Sequence, residues 1–194
     1  MSNEIQEFFN RLAPTWDKAS DDDLTWVSSV LKGVGITSKT KILDLACGTG
    51  VITGILANLS DEPVLGMDLS DEMIKRAKAK YQGSPNIAFI CQDFLKYEEG
   101  AFDFIVIYNA YPHFIHPREL AQSLAKNLTS KGRFLILHSR GKEAINAHHK
   151  GMSTSLSRNL TAPEEEWGAF EEEFNLIQSQ DHPDYYLILG EKKN

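Results

Sequence analysis

The chain has 194 residues but only two cysteines, Cys47 and Cys91, with no paired spacing around them. A disulfide framework is thereby excluded, and two free thiols in a reducing compartment are expected. Long apolar runs are also missing, since no window approaches the roughly 18 apolar residues that span a bilayer. The opening MSNEIQEFFNRLAPTW has neither a basic start nor an apolar core, so the sequence predicts no membrane span and a cytoplasmic location. Basic residues are outnumbered, 20 Lys and Arg against 27 Asp and Glu, and the net charge of -7 opposes the counterion release behind nonspecific nucleic-acid binding. Without a dense basic run carrying interleaved aromatics, nucleic acid is not an expected partner. The acidic runs Asp21 to Asp23 and Glu164 to Glu166 read as solvated charges at helix starts.

What is present suits one α/β domain. A composition of 42% hydrophobic and 24% charged residues is that of a globular chain, and a domain of this size buries roughly 70% of its unfolded surface. Ile5, Phe8, Phe9 and Leu12 share one helical face before Pro14, and a second helix is expected from about Asp22 to Leu31, ended by Gly33 and Gly35. Short apolar runs then alternate with amphipathic stretches. Strands are expected at Lys41 to Ala46, Val64 to Asp68, Ile87 to Cys91, Phe102 to Tyr108 and Arg133 to His138. Helices are expected at Val51 to Asn58, Asp71 to Tyr81 and Pro117 to Asn127. Phe174 to Gln180 and Tyr185 to Glu191, joined by the polar turn DHPD, read as a hairpin. The expected fold is Rossmann-like: a doubly wound, mostly parallel seven-stranded sheet with a C-terminal antiparallel hairpin. Residues 1–38 supply N-terminal cover helices, 39–140 the core, and 141–194 a cover segment with the hairpin.

The run ILDLACGTG carries the chemistry. Its strand delivers Asp44 to the carboxyl end, and Cys47, Gly48, Thr49 and Gly50 must turn sharply before the next helix. Eighteen residues after Gly50 the following strand ends at Asp68, a carboxylate at a neighbouring strand tip, within reach of a ribose. A dinucleotide turn needs G-x-G-x-x-G to seat a pyrophosphate on a helix N-terminus, whereas the glycines here are 48, 50 and 54. Asp44 also repels a pyrophosphate and suits a cationic ligand. An NAD-linked oxidoreductase is therefore the disfavoured reading.

In these residues the chain resembles the class I S-adenosylmethionine-dependent methyltransferases, whose first motif is D-x-G-x-G-x-G. Asp44 to Gly50 matches it with Ala46 in place of the first glycine, a mild departure because alanine is small enough for close approach. The resemblance implies that Asp44, Ala46, Cys47, Gly48, Thr49 and Gly50 line S-adenosylmethionine and that Asp68, followed by Leu69 and Met73, receives its ribose. It implies that Asp93 meets the adenine amino group while Phe94 packs on the ring, and that Asn109 lies by the methionine end. The entry segment FFNRLAPTWD is similar to the start of the ubiquinone and menaquinone biosynthesis methyltransferases, which makes Trp16 a candidate lid.

Ligands of open α/β sheets lie outside the carboxyl ends of the strands. Tyr111 and His113 after the fourth strand, and His138 at the end of the fifth, are thus expected at an acceptor pocket, with His113 or His138 as the base. Trp16, Trp26, Tyr111, Phe114 and Trp167 are candidates for its apolar wall. His148 and His149 lack a cysteine or carboxylate at ligand spacing, so no metal is expected. The expected activity is methyl transfer to a small-molecule acceptor. The competing reading is a noncatalytic module that binds the nucleoside.

Overall fold

The computed structural model describes residues 2–18 and 24–194. The acidic run Asp21 to Asp23, and with it the expected start of the second helix, lies outside the described residues. The strands form a seven-stranded sheet in the order β3-β2-β1-β4-β5-β7-β6, and the chain divides into two compact units, Met1–Phe94 and Leu95–Asn194.

In the first unit, strands β1 (Ile42–Leu45), β2 (Val64–Asp68) and β3 (Ile87–Cys91) run parallel, with Leu43 opposite Leu65 and Asp68 opposite Cys91. All four residues of β1 are buried, as a strand covered on both faces requires, whereas in β3 only Phe89 is buried. Helices α1 (Ser2–Leu12), α2 (Leu24–Gly33), α3 (Thr53–Ala57) and α4 (Asp71–Lys80) accompany them. α4 is specified locally: Ser70 accepts the Met73 amide as N-cap, Asp71 and Glu72 occupy the first turn, and Lys78 and Lys80 the last. Its buried face, Ile74 and Ala77, packs with Phe89 in the middle of β3 and with Cys47 just after β1. α3 is shorter than the expected Val51 to Asn58 because the glycine turn continues to Ile52 before helical bonding begins.

In the second unit, β4 (Phe102–Tyr108) and β5 (Leu128–His138) run parallel, while β7 (Tyr185–Lys192) runs antiparallel to β5 and to β6 (Phe174–His182). The hairpin therefore forms as expected. β5 begins at Leu128, ahead of the expected Arg133, through an irregular stretch in which Lys131 has φ 59. That polar tract bulges away from β4 and carries none of the apolar signal of the strand proper. Between β4 and β5 lies α5 (Pro117–Asn127), with Pro117 at its first position. The segment after β5 holds α6 (Lys142–His148) and the single turn α7 (Pro163–Glu166). Among the described residues no helix is long and apolar enough to cross a membrane. Both cysteines are free thiols, Cys47 buried and Cys91 exposed.

Candidate functional site

The β1 and β2 tips bring most of the predicted donor residues together. Asp44 is only 1% exposed, and its Oδ2 accepts from Thr53 Oγ1 at 2.5 Å. Burial pushes the Asp44 carboxyl up to about 7, against the Thr53 hydrogen bond and with help from the nearby charge of Asp68. Asp68 is likewise raised by burial, although the amides of Ser70, Gly48 and Leu69 hold it down. Gly48 N donates to Asp68 Oδ2 and Ser70 N to Oδ1, both at 2.8 Å. An ionised carboxylate has about four lone-pair sites, so these amides leave acceptor capacity for a further donor such as a ribose hydroxyl.

Ala46, Gly48 and Gly50 all have positive φ, at 57, 54 and 78. The departure at Ala46 is thus more than a matter of size, because alanine occupies a left-handed position that glycine would take without strain. A Cβ on Gly48 would reach 3.5 Å from Trp16 Nε1 and 4.0 Å from Met73 Sδ, so the indole and the thioether bound a narrow space over the turn. Trp16 lies in the short turn Ala13–Lys18, edge-on to Phe9. The next residue, Asp17, accepts from Thr49 Oγ1 and pairs with Lys80 at 3.2 Å. Asn10 on α1 accepts from Ser70 Oγ and donates to Asp71. The entry segment is thereby tied to both the glycine turn and the start of α4. Leu69 follows β2, Asp93 follows β3, and Phe94 is buried.

These features fit a sulfonium nucleoside. Neither Asp44 nor Asp68 forms an ion pair among the described residues, and each is destabilised as a buried anion. A ligand bringing cationic groups and a diol supplies what they lack. A pyrophosphate would add negative charge to the pair.

The second unit carries the other predicted residues. Asn109, with φ 52, follows β4 and is bound to Ser139: its Oδ1 accepts Ser139 N at 2.9 Å and its Nδ2 donates to Ser139 Oγ at 3.0 Å. His113 Nδ1 bonds the Leu156 carbonyl at 2.7 Å and so must carry the proton, which makes Nε2 the acceptor nitrogen. The segment after Leu156 pins the same turn, since Arg158 N donates to Pro112 O at 3.0 Å and Arg158 Nε to Phe114 O at 3.2 Å. The His113 ring is edge-on to His149, with centroids 5.1 Å apart. His138 is 3% exposed, and its Nε2 is buried without a hydrogen-bond partner among the described residues. Burial pushes His113 down to about 4 and His138 to about 3, with His113 and His149 further opposing protonation of His138. Both imidazoles are neutral at physiological pH. Among the described residues no group of three or more His, Cys, Asp or Glu is arranged to hold a metal ion.

Two expectations are corrected. Tyr111 is not a pocket wall: it is fully buried, and its hydroxyl donates to Glu166 Oε2 at 2.8 Å. Glu166 is not a solvated helix-start charge. It is buried and pairs two-fold with Arg158, at 2.7 and 2.8 Å, while accepting the Thr161 amide at 2.9 Å. Burial opposes its ionisation, but those donors and the Arg158 charge hold it below the usual carboxylate range. Only Glu164 and Glu165 of that run are exposed. The charge run hid an anchor because Arg158 and Tyr111 reach Glu166 from other segments. Thr53, Asp17 and Asn10 were missed for the same reason, although a hydroxyl at the helix start after a glycine turn is a local signal for Thr53.

A family model described as a methyltransferase domain matches residues 36–188. A demethylmenaquinone methyltransferase of Lactococcus lactis is 34% identical over 115 residues, covering 53% of this chain and 45% of that protein. The chain spans about half the length of such curated relatives. In structure it is similar to a chain of the complex between the Haloferax volcanii Trm112 methyltransferase activator and a putative methyltransferase, with TM-score 0.81, 17% identity, and 96% and 98% of the two chains covered. It is also similar to DhpI in its complex with SAH, with TM-score 0.78, 17% identity, and 99% and 97% covered. At such identities the structural likenesses show the fold, and the family rests on the model match together with the motifs it spans. The chain belongs to the methyltransferase domain family, as a class I S-adenosylmethionine-dependent methyltransferase.

Proposed function

We propose that this protein methylates a small hydroxylated aromatic acceptor of the reduced quinone class, with Asp44 and Asp68 holding the donor and His113 facing the acceptor. The observation that carries the donor half is the buried, mutually repelling Asp44 and Asp68 pair beside a turn of three positive-φ residues. The acceptor class is supported by relatives named demethylmenaquinone methyltransferase and 2-phytyl-1,4-naphtoquinone methyltransferase.

When bound, S-adenosylmethionine supplies an electrophilic methyl group on a sulfonium. Asp68 receives the ribose on the acceptor capacity left by the Gly48, Leu69 and Ser70 amides. Asp44 counters the donor's positive charge. Trp16 bounds the space above Gly48 and excludes water from it. His113, its Nδ1 proton held by Leu156, offers Nε2 to an acceptor hydroxyl and draws its proton, which raises electron density on the ring; the ring carbon then gains the methyl as the S–CH3 bond breaks to leave S-adenosylhomocysteine, and the hydrogen it carried departs as a proton to solvent while the hydroxyl regains its own. A base this weak works at the lower end of the usual range, about 100-fold. That is about 3 kcal/mol, well below the roughly 7 to 11 kcal/mol that alignment of two reactants can supply. Positioning is therefore the main source of rate.

The test is transfer of labelled methyl from S-adenosylmethionine to a naphthoquinol lacking the ring methyl, run beside calorimetry with the donor alone. Donor binding with label in the naphthoquinol is expected. Label in some other compound of a metabolite extract would replace the acceptor class, and binding without transfer would favour a noncatalytic nucleoside-binding module. No donor binding at all would remove the proposal.

A further inference from the structure

The third glycine of the turn, Gly54, has no place in a dinucleotide fingerprint, and the first motif of the family ends at Gly50. Its surroundings explain it. A Cβ at Gly54 would lie 2.9 Å from the Tyr81 hydroxyl and 3.1 Å from the Tyr81 ring, and a Cβ at Gly50 would lie 2.8 Å from that ring. The hydroxyl uses the space so created: it donates to Gly50 O at 2.8 Å and accepts from Gly54 N at 3.2 Å. Gly54 N is one of the amides that the start of a helix leaves without an internal acceptor. Ile52, at the N-cap position of α3, offers no side-chain acceptor. Tyr81 supplies it from 27 residues away.

We infer that Tyr81 is a positioning residue for the methyl-donor turn, and that Gly54 is glycine to admit its hydroxyl. Tyr81 follows the last residue of α4, the helix whose first turn is set by Ser70 beside Asp68. The turn is thus gripped twice by one helix and its flanks, at Gly48 N through Asp68 and at Gly50 O and Gly54 N through Tyr81. The ring is fixed independently by Phe89, with centroids 5.6 Å apart, and by the cluster of Ile74, Ala77 and Cys47. Removing only the hydroxyl therefore leaves the packing in place and releases the loop. Donor and product share the nucleoside, so both should weaken equally, while the chemical step at saturation should be spared.

This rests on the donor-site reading above. The experiment is Tyr81→Phe, measured by calorimetry with S-adenosylmethionine and with S-adenosylhomocysteine, together with kcat, KM and amide exchange at Gly54 in the ligand-free protein. Expected are a five- to twentyfold rise in both Kd values and in donor KM, kcat within twofold, and at least tenfold faster exchange at Gly54. In a Tyr81→Phe background, Gly54→Ala should cost less donor affinity than in the parent, because the hydroxyl it crowds is gone. Unchanged Kd values and unchanged Gly54 exchange would overturn the inference. A parent protein that binds neither nucleoside would instead sink the donor-site reading, and the exchange measurement would still report on the Tyr81 clamp.

Discussion

Thr53 Oγ1 donates to Asp44 Oδ2 at 2.5 Å in a place where Asp44 is 1% exposed, so a hydroxyl at the start of α3 favours the ionised form of a β1 carboxylate that burial disfavours. Burial sets Asp44 at about 7, above its ordinary 3.8. A carboxyl raised on folding contributes stability that is fully present below about pH 4 and lost as pH rises through 7. Asp44→Asn removes that dependence, so relative to wild type its unfolding free energy should improve from pH 4 to pH 8. Thr53→Val removes the bond that favours the anion, so the loss should begin at the same pH but extend to higher pH. Denaturant unfolding of the three ligand-free proteins across that range checks both directions.

Donor binding should carry the same proton with opposite consequence. A cationic donor prefers ionised Asp44, so affinity should climb toward pH 7, by at most about tenfold per pH unit, and then level. The Asp44→Asn profile contains the donor's own titration and serves as the baseline. Calorimetry that finds the two profiles parallel would show that Asp44 does not meet the donor's charge.

Ala46 holds φ 57 at the position where the family motif has glycine. A left-handed non-glycine residue costs roughly 1 to 2 kcal/mol, from which glycine's greater unfolded-state entropy subtracts part. Ala46→Gly should therefore stabilise the fold by about 1 kcal/mol, or about 2 to 4 °C in Tm for a chain of this size. Gly50→Ala meets both a φ of 78 and a Tyr81 ring 2.8 Å from the new methyl, so it should do the reverse and weaken donor binding as well. Thermal unfolding of the two variants gives opposite signs if the turn is as described.

Much of this was legible in sequence because it is local. β2, β3, β4 and α5 begin and end where their apolar runs and proline predict. Asp44, Gly48, Gly50 and Asp68 mark a nucleoside site through their spacing, and the resemblance to the methyltransferases is what makes the methyl donor its expected ligand. The rest depends on partners far apart in the chain: Asp17 with Thr49, Tyr81 with Gly54, Glu166 with Arg158 and Tyr111. A charge run or a lone tyrosine carries no periodic signature of such partners. Burial of His138 was equally hidden, since an imidazole ending an apolar strand reads as a rim residue until β7 pairs along it, with Tyr186 opposite.

The Arg158 and Glu166 pair should behave as a buried anchor. Breaking such a pair by removing one partner strands a charge and costs about 3 to 5 kcal/mol. Glu166→Ala should accordingly lower Tm by about 10 °C, whereas Tyr111→Phe, which leaves Arg158 and Thr161 on the carboxylate, should cost about 1 to 3 kcal/mol. Because Tyr111 and Arg158 share Glu166, the double variant should lose less than the sum of the single ones. Additive losses would mean that the three groups do not act as one network.

His113 and His138 make a claim about pH that distinguishes them from ordinary histidines. Burial holds them at about 4 and about 3, so neither should protonate across the range in which an exposed imidazole titrates. With a naphthoquinol acceptor, kcat should show no inflection near 6.5, and any fall on the acid side should come near pH 4. His113→Ala should lower kcat by about 100-fold with donor Kd unchanged, and His113→Gln, which keeps an acceptor on that side chain, should recover part of it. His138→Ala opens a cavity in a closed interior and should lower stability first, so its kinetics are to be read at a temperature where unfolding shows it folded. If His113→Ala turns over at the wild-type rate, the imidazole is a structural partner of the Leu156 carbonyl and the acceptor's proton leaves by another route.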